Sequence, residues 1–128
     1  MPTITYSNHK AYVANRPYAD VVLIHGATRG PTHVCLVDTG ADFLELPTGA
    51  ATAVGLSLAS GTRVPVSTAA GTHVTMTKLT GVSVEVEGTR VTVDVLFNPH
   101  GRQLLLGRQA LFAAFSDVGF QTTRWLRP

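Results

Sequence analysis

Two runs of strict alternation constrain this chain more than any other feature. Val82, Val84 and Val86 alternate with Ser83, Glu85 and Glu87, and beyond Gly88 and Thr89 the residues Val91, Val93 and Val95 alternate with Thr92, Asp94 and Leu96. Successive side chains of a β-strand point to opposite faces, so this period buries one face and wets the other. The two runs lie too close together for anything but a tight turn, which predicts a hairpin turning at Gly88 and Thr89. Further strands are expected over residues 20–25, 33–37, 63–67 and 72–79, where Val, Thr and Leu suit a pleated, half-buried surface. Gly26, Gly30, Gly61, Gly71, Gly81, Gly88 and Gly101 fall between runs, where turns are expected.

Two short helices complete the pattern. Thr48 is placed to cap a helix over 49–54, with Gly55 in the left-handed position that ends it. A second is expected over 108–115, with Leu111, Phe112 and Phe115 on one buried face. Helices this short depend on packing for their stability. Residues 1–19 read as a leading arm punctuated by Pro2 and Pro17. The expectation is one all-β domain over residues 1–128, a closed or nearly closed barrel with one or two short helices.

Several function classes drop out. A chain of 128 residues can bury a core without disulfides or metal. The net charge of +2 comes from scattered Lys and Arg with no basic run among aromatics, so no nucleic-acid partner is expected. Cys35 is the one cysteine; it can form neither an internal disulfide nor a zinc cluster, and reads as a small buried hydrophobe. His9, His25, His33, His73 and His100 lack ligand spacing, so no metal is expected. No apolar run is long enough to span a membrane. The first twenty residues include Asn8, His9, Lys10, Asn15, Arg16 and Asp20, unlike a signal peptide, so a cytoplasmic protein without a membrane partner is expected. Neither a Gly-x-Ser-x-Gly elbow nor a phosphate-binding Gly-Lys-Ser/Thr loop occurs.

The segment Leu36-Val37-Asp38-Thr39-Gly40-Ala41-Asp42 carries the chemistry. An apolar strand runs into a carboxylate, and the chain turns at once at a glycine that permits close backbone approach. Thr39 adds a small hydroxyl able to bond nearby backbone. Taken alone, Asp-Thr-Gly is equally an ordinary polar turn after a strand.

Residues 36–42 resemble the active-site segment of the retropepsins, the aspartic proteases of retroviruses and their bacterial relatives. Two more segments match in the same order. Val66-Ser67-Thr68-Ala69-Ala70-Gly71 is similar to the flap of the bacterial members, and Leu104-Leu105-Leu106-Gly107-Arg108 to the second signature, two apolar residues followed by Gly-Arg and a short helix. The three matches span roughly residues 20–118. The resemblance implies a retropepsin-like closed β-barrel and an aspartic endopeptidase.

It also implies roles. Asp38 would be the catalytic carboxylate, Thr39 a dimer-interface residue, and Gly40 a contact to substrate backbone. Ala41, Asp42, Phe43 and Leu105 would border the substrate, with Phe43 in a specificity pocket. Ala69, Ala70 and Gly71 would tip a hairpin that closes over the peptide, stiffened by alanines where viral members carry glycines. Leu105, Leu106 and Gly107 would brace the Asp38 loop, and Arg108 would pair with Asp42. Residues 98–103 would border the cleft, where His100 and Arg102 would favour polar or acidic substrate residues. Ala41, where pepsin-like enzymes often carry Ser, leaves one hydroxyl fewer to stabilise an ionised carboxylate, which implies activity nearer neutral pH.

Such hydrolysis uses water, no cofactor, and two carboxylates. Only one Asp-Thr-Gly is present, so the second carboxylate would come from another copy, making the partners a homodimer mate and a peptide or protein substrate. The segment 118–126 either interleaves across that dimer or packs within its own subunit, and residues 1–6 are a second candidate interface strand. The alternative function is a retropepsin-fold dimerisation or peptide-binding module with little or no catalysis. A generic β-barrel would account for the alternation but not for three ordered motifs.

Overall fold

A computed structural model describes residues 4–67, 70–101 and 103–128. In chain order the elements are β1 (Asn8–Ala11), β2 (Tyr18–His25), β3 (Thr28–Val37), β4 (Leu44–Pro47), α1 (Thr48–Ala53), β5 (Thr62–Ser67), β6 (His73–Val86), β7 (Thr89–Asn98), β8 (Leu105–Leu106), α2 (Arg108–Ala114), β9 (Gly119–Phe120) and β10 (Arg124–Arg127). A seven-stranded sheet runs β2-β3-β8-β4-β7-β6-β5, and β2 also pairs with β6. That last pairing closes the sheet into a ring and leaves β5 as a flange on β6. The fold is the all-β acid protease fold with two short helices.

The alternating valines form the inner wall. Val82 lies opposite Val93, and Val84 opposite Val91. Val84, Val86 and Val95 are fully buried, joined by Leu23, Leu44, Leu46, Phe97, Leu106 and Leu111. The hairpin turns one residue earlier than expected. Val86 pairs with Thr89, so Glu87 and Gly88 are the central residues, both left-handed at φ 48° and 83°. Positive φ at both positions gives the turn whose twist matches the flanking strands.

Glu87 is unusual in that position, and its contacts explain why it is held there. Its N–H donates to Asp20 O (2.9 Å), while its own Oε2 accepts from Asp20 N (2.6 Å) and from Lys10 Nζ (2.6 Å). Arg127 Nη2 lies 3.5 Å from Oε1. One carboxylate thus ties β2 of the barrel to β1 and β10 of the second sheet.

Two glycines expected in turns lie inside strands. Gly81 falls within β6, left-handed at φ 68°, where the register with β7 shifts between Leu79 and Val82. A positive-φ glycine lets one long strand bulge and bend where two strands were expected. Gly30 lies within β3, where a Cβ would meet Val54 Cγ1 at 2.9 Å.

The helices also depart from expectation in detail. Thr48 is the first residue of α1 rather than its cap, because Pro47 ends β4 and occupies the cap position without a side-chain bond. Gly55 is left-handed at φ 73°, as expected. In α2, Ala110 and Leu111 face the core and Phe115 is buried at the C-cap, but Phe112 is exposed. Leu111 and Phe115 are four apart and stack on one face; Phe112 is turned away from it.

In this chain the C-terminal segment pairs with the leading arm. The strands β1, β10 and β9 form a three-stranded sheet. Trp125 is fully buried, donates Nε1 to Tyr18 O (3.0 Å), and meets the Phe115 ring edge-on at 5.9 Å. The arm expected over 1–19 therefore supplies β1. Residues 4–7 form no strand, and 1–3 lie outside the described residues.

Removing the Glu87 carboxylate would leave the Asp20 N–H without its acceptor and take an ion pair from both Lys10 and Arg127. Glu87→Ala is expected to lower unfolding stability by about 2–4 kcal/mol in urea denaturation. A loss below about 0.5 kcal/mol would show that this tie does not hold the two sheets together.

Candidate active site

The strand β3 runs beside β8 and delivers Asp38 at its end. The parallel ladder continues through the turn: Leu36 N donates to Leu104 O (2.9 Å) and Asp38 N to Leu106 O (3.0 Å). Asp38 then accepts twice from the residues that follow, its carbonyl from Ala41 N (3.2 Å) and its Oδ1 from Gly40 N (2.9 Å). This is an Asx-type turn, in which a short carboxylate substitutes for a backbone acceptor. Asp38 is half-buried, and Thr39 and Gly40 are exposed beside it.

The start of α2 grips this turn from below. Arg108 N donates to Ala41 O (2.9 Å) and Gln109 N to Asp42 O (3.0 Å). The Arg108 guanidinium donates through Nη1 to Thr39 O (2.8 Å) and through Nη2 to the Asp42 carboxylate. Both side chains of that ion pair are at least half exposed, so charge attraction contributes at most about 1 kcal/mol. The fork's geometry matters more, because it fixes two points of the turn. Gly107 precedes it because no side chain fits: a Cβ would lie 2.5 Å from Phe43 O and 2.7 Å from Phe43 N. Leu106 is fully buried and Leu105 half-buried. Phe43 is half-buried beneath Lys78, whose Nζ sits 4.2 Å from the ring centroid.

Ala70 and Gly71 lie between β5 and β6, which pair from Thr62 opposite Lys78 to Ser67 opposite His73. Ser67 Oγ and His73 Nδ1 are 3.2 Å apart across the last pair. Ala70 and Gly71 are exposed at the tip of this hairpin; Ala69 and Arg102 lie outside the described residues. His100 is exposed after β7.

A buried polar pair was not legible in the sequence. Glu45, in β4, is only 7% exposed and takes a hydrogen bond from Asn98 Nδ2 (3.2 Å) on β7, also buried. Asn98 Oδ1 in turn accepts from His100 N (2.9 Å). Within Leu44-Glu45-Leu46, alternation reads Glu45 as an outward-facing residue. Burial pushes its carboxyl up from the ordinary 4.5, and the Asn98 bond pulls it partly back. Elsewhere, burial and the nearby Asp20 charge push the Cys35 thiol up to about 12, so it is inert as a nucleophile.

Residues 24–112 match the family described as gag-polyprotein putative aspartyl protease. The chain belongs to this family. The match takes in the Asp38 turn, the β5–β6 hairpin and the Leu104–Arg108 segment, and membership supports proteolysis as the general activity. No curated protein matches the chain. Among the described residues no helix is long and apolar enough to cross a membrane.

Glu45 makes stability depend on pH in a direction that can be measured. A carboxyl raised on folding contributes stability below its unfolded value of 4.5 and loses it as pH rises through the folded value. Glu45→Gln keeps the shape and the Asn98 contact but carries no charge. Relative to the parent, the variant should gain stability between mildly acidic and neutral pH in parallel denaturant titrations. A difference that stays constant with pH would contradict a raised Glu45.

Proposed function

We propose that the protein is an aspartic endopeptidase, one domain over residues 1–128, whose active site forms from two copies of the chain. The carrying observation is the Asp38 carboxylate, half-buried on a braced turn and, among the described residues, hydrogen-bonded to Gly40 N alone. Hydrolysis by water needs one carboxylate as base and another as acid. Two adjacent carboxylates divide these roles because close like charges do not both ionise.

Within one copy the other aspartates are engaged elsewhere. Asp42 is held by Arg108, Asp20 lies beside Lys10, Asp94 beside Lys78 and Gln109, and Asp117 accepts from Tyr6. Glu45 lies two strands from β3, about 10 Å at ordinary strand spacing, too far to share a proton with Asp38. The second carboxylate is therefore Asp38 of another copy, across a two-fold axis beside the exposed Thr39.

The reaction follows from that pair. Ionised Asp38 takes a proton from water as its oxygen bonds to the peptide carbonyl carbon. The protonated Asp38 of the second copy donates to the carbonyl oxygen, giving a neutral tetrahedral diol. The proton gained from water then passes to the peptide nitrogen, a diol proton returns to the other carboxylate, and the C–N bond breaks. The peptide would lie extended under the β5–β6 hairpin as an added strand. Leu105, Phe43 and the 41–42 backbone would border it.

The test is hydrolysis of a denatured, unstructured protein by the parent and by Asp38→Asn, with the oligomeric state of both followed by gel filtration. The expected result is a dimer in both cases, with cleavage by the parent alone and a loss of at least about a thousandfold in the variant. Cleavage retained by a clean Asp38→Asn preparation would overturn the assignment. Dimers of both proteins that cleave nothing across acidic to neutral pH would favour the peptide-binding module.

A further inference from the structure

The strand register places Glu45 on the same face of the barrel wall as Asp38. Leu36 lies beside Leu105, Leu105 opposite Glu45, Glu45 beside Leu96, and Leu96 opposite Lys78. Side chains at paired positions of neighbouring strands share a face. Asp38, two residues beyond Leu36, returns to that face by the period of two. Glu45 therefore sits two strands across from Asp38, about 10 Å away, which is the length of roughly three residues of extended peptide.

Its surroundings on that face are apolar on both sides, Leu105 on β8 and Leu96 on β7. An ionised carboxylate offers about four acceptor positions. Among the described residues only Asn98 Nδ2 fills one, and no Lys, Arg or His makes an ion pair with it. The cation on the same face is committed elsewhere, because Lys78 Nζ lies over the Phe43 ring and 3.9 Å from Asp94. Asn98 cannot turn its oxygen toward Glu45 without losing the bond from His100 N, so its amide stays a donor to the carboxylate. A buried carboxylate with spare acceptor capacity and no cation is costly unless something completes it.

We infer that Glu45, oriented by Asn98, is a specificity-determining residue of the cleft and takes a basic side chain, Lys or Arg, within about three residues of the bond that is cut. This rests on the reading of the protein as an aspartic endopeptidase. A peptide with norleucine at that position leaves the carboxylate unpaired against an apolar chain and is rejected, as sites built to hydrogen-bond a substrate group reject analogues lacking it.

The test compares matched peptides carrying Lys or norleucine at each position within three residues of the cleaved bond. Cleavage by the parent and by Glu45→Gln is measured, together with calorimetric binding of the same peptides to Asp38→Asn with and without Glu45→Gln. The expected result is a preference for Lys of at least about tenfold in kcat/KM at one position, falling to near unity in Glu45→Gln, with the same change in binding. Cleavage whose preferences are identical in parent and Glu45→Gln overturns the role of Glu45 and leaves the protease standing. Binding that prefers Lys through Glu45 without any cleavage upholds the role and overturns the protease. Neither cleavage nor a Glu45-dependent preference in binding overturns both.

Discussion

The two residues of β8 join the Asp38 turn, Glu45 and the start of α2. Leu105 and Leu106 pair in parallel with Leu36 and Val37 of β3, and Leu105 pairs antiparallel with Glu45 of β4. Take β8 away and the ring opens between β3 and β4, Asp38 N loses its acceptor, and α2 loses its anchor. The neighbouring Gly107 then allows the chain to pass within van der Waals distance of the Phe43 backbone, which brings Arg108 under the turn. The carboxylate is thus placed by backbone ladders and one close contact rather than by charge, as the proposed role in proton transfer would require.

The parts of the fold governed by local rules were readable in the sequence. Val82 to Val95 announced a hairpin through its period, and Asp38 with Gly40 announced a turn at a strand end. Most departures from those rules come from tertiary contacts. Glu87 occupies a left-handed turn position because Lys10, Asp20 and Arg127, distant in sequence, converge on it. Gly81 bends one strand rather than separating two, and Gly30 gives Val54 room inside a strand. Phe112 satisfies a spacing rule but faces outward, since Leu111 and Phe115 set the buried face.

The candidate site divides the same way. Asp38, Arg108 and Gly107 sit in short segments with a recognisable order, so they could be named in advance. Glu45 could not, because it stands between two leucines in a strand covered on both faces, and alternation carries no information when both faces are buried. Only the pairing of β4 between β8 and β7 reveals that it shares a face with Asp38. Polar groups in an apolar wall cost stability, and Glu45 with Asn98 is such a pair.

Under the proposed assignment, one active site is shared by two copies. Calorimetric titration with a pepstatin-like inhibitor, which occupies the whole site as a mimic of the tetrahedral diol, measures this directly as a stoichiometry. The expected result is one inhibitor bound per two chains and none bound by Asp38→Ala. One inhibitor per chain, bound by a species that sediments as a monomer, would contradict it.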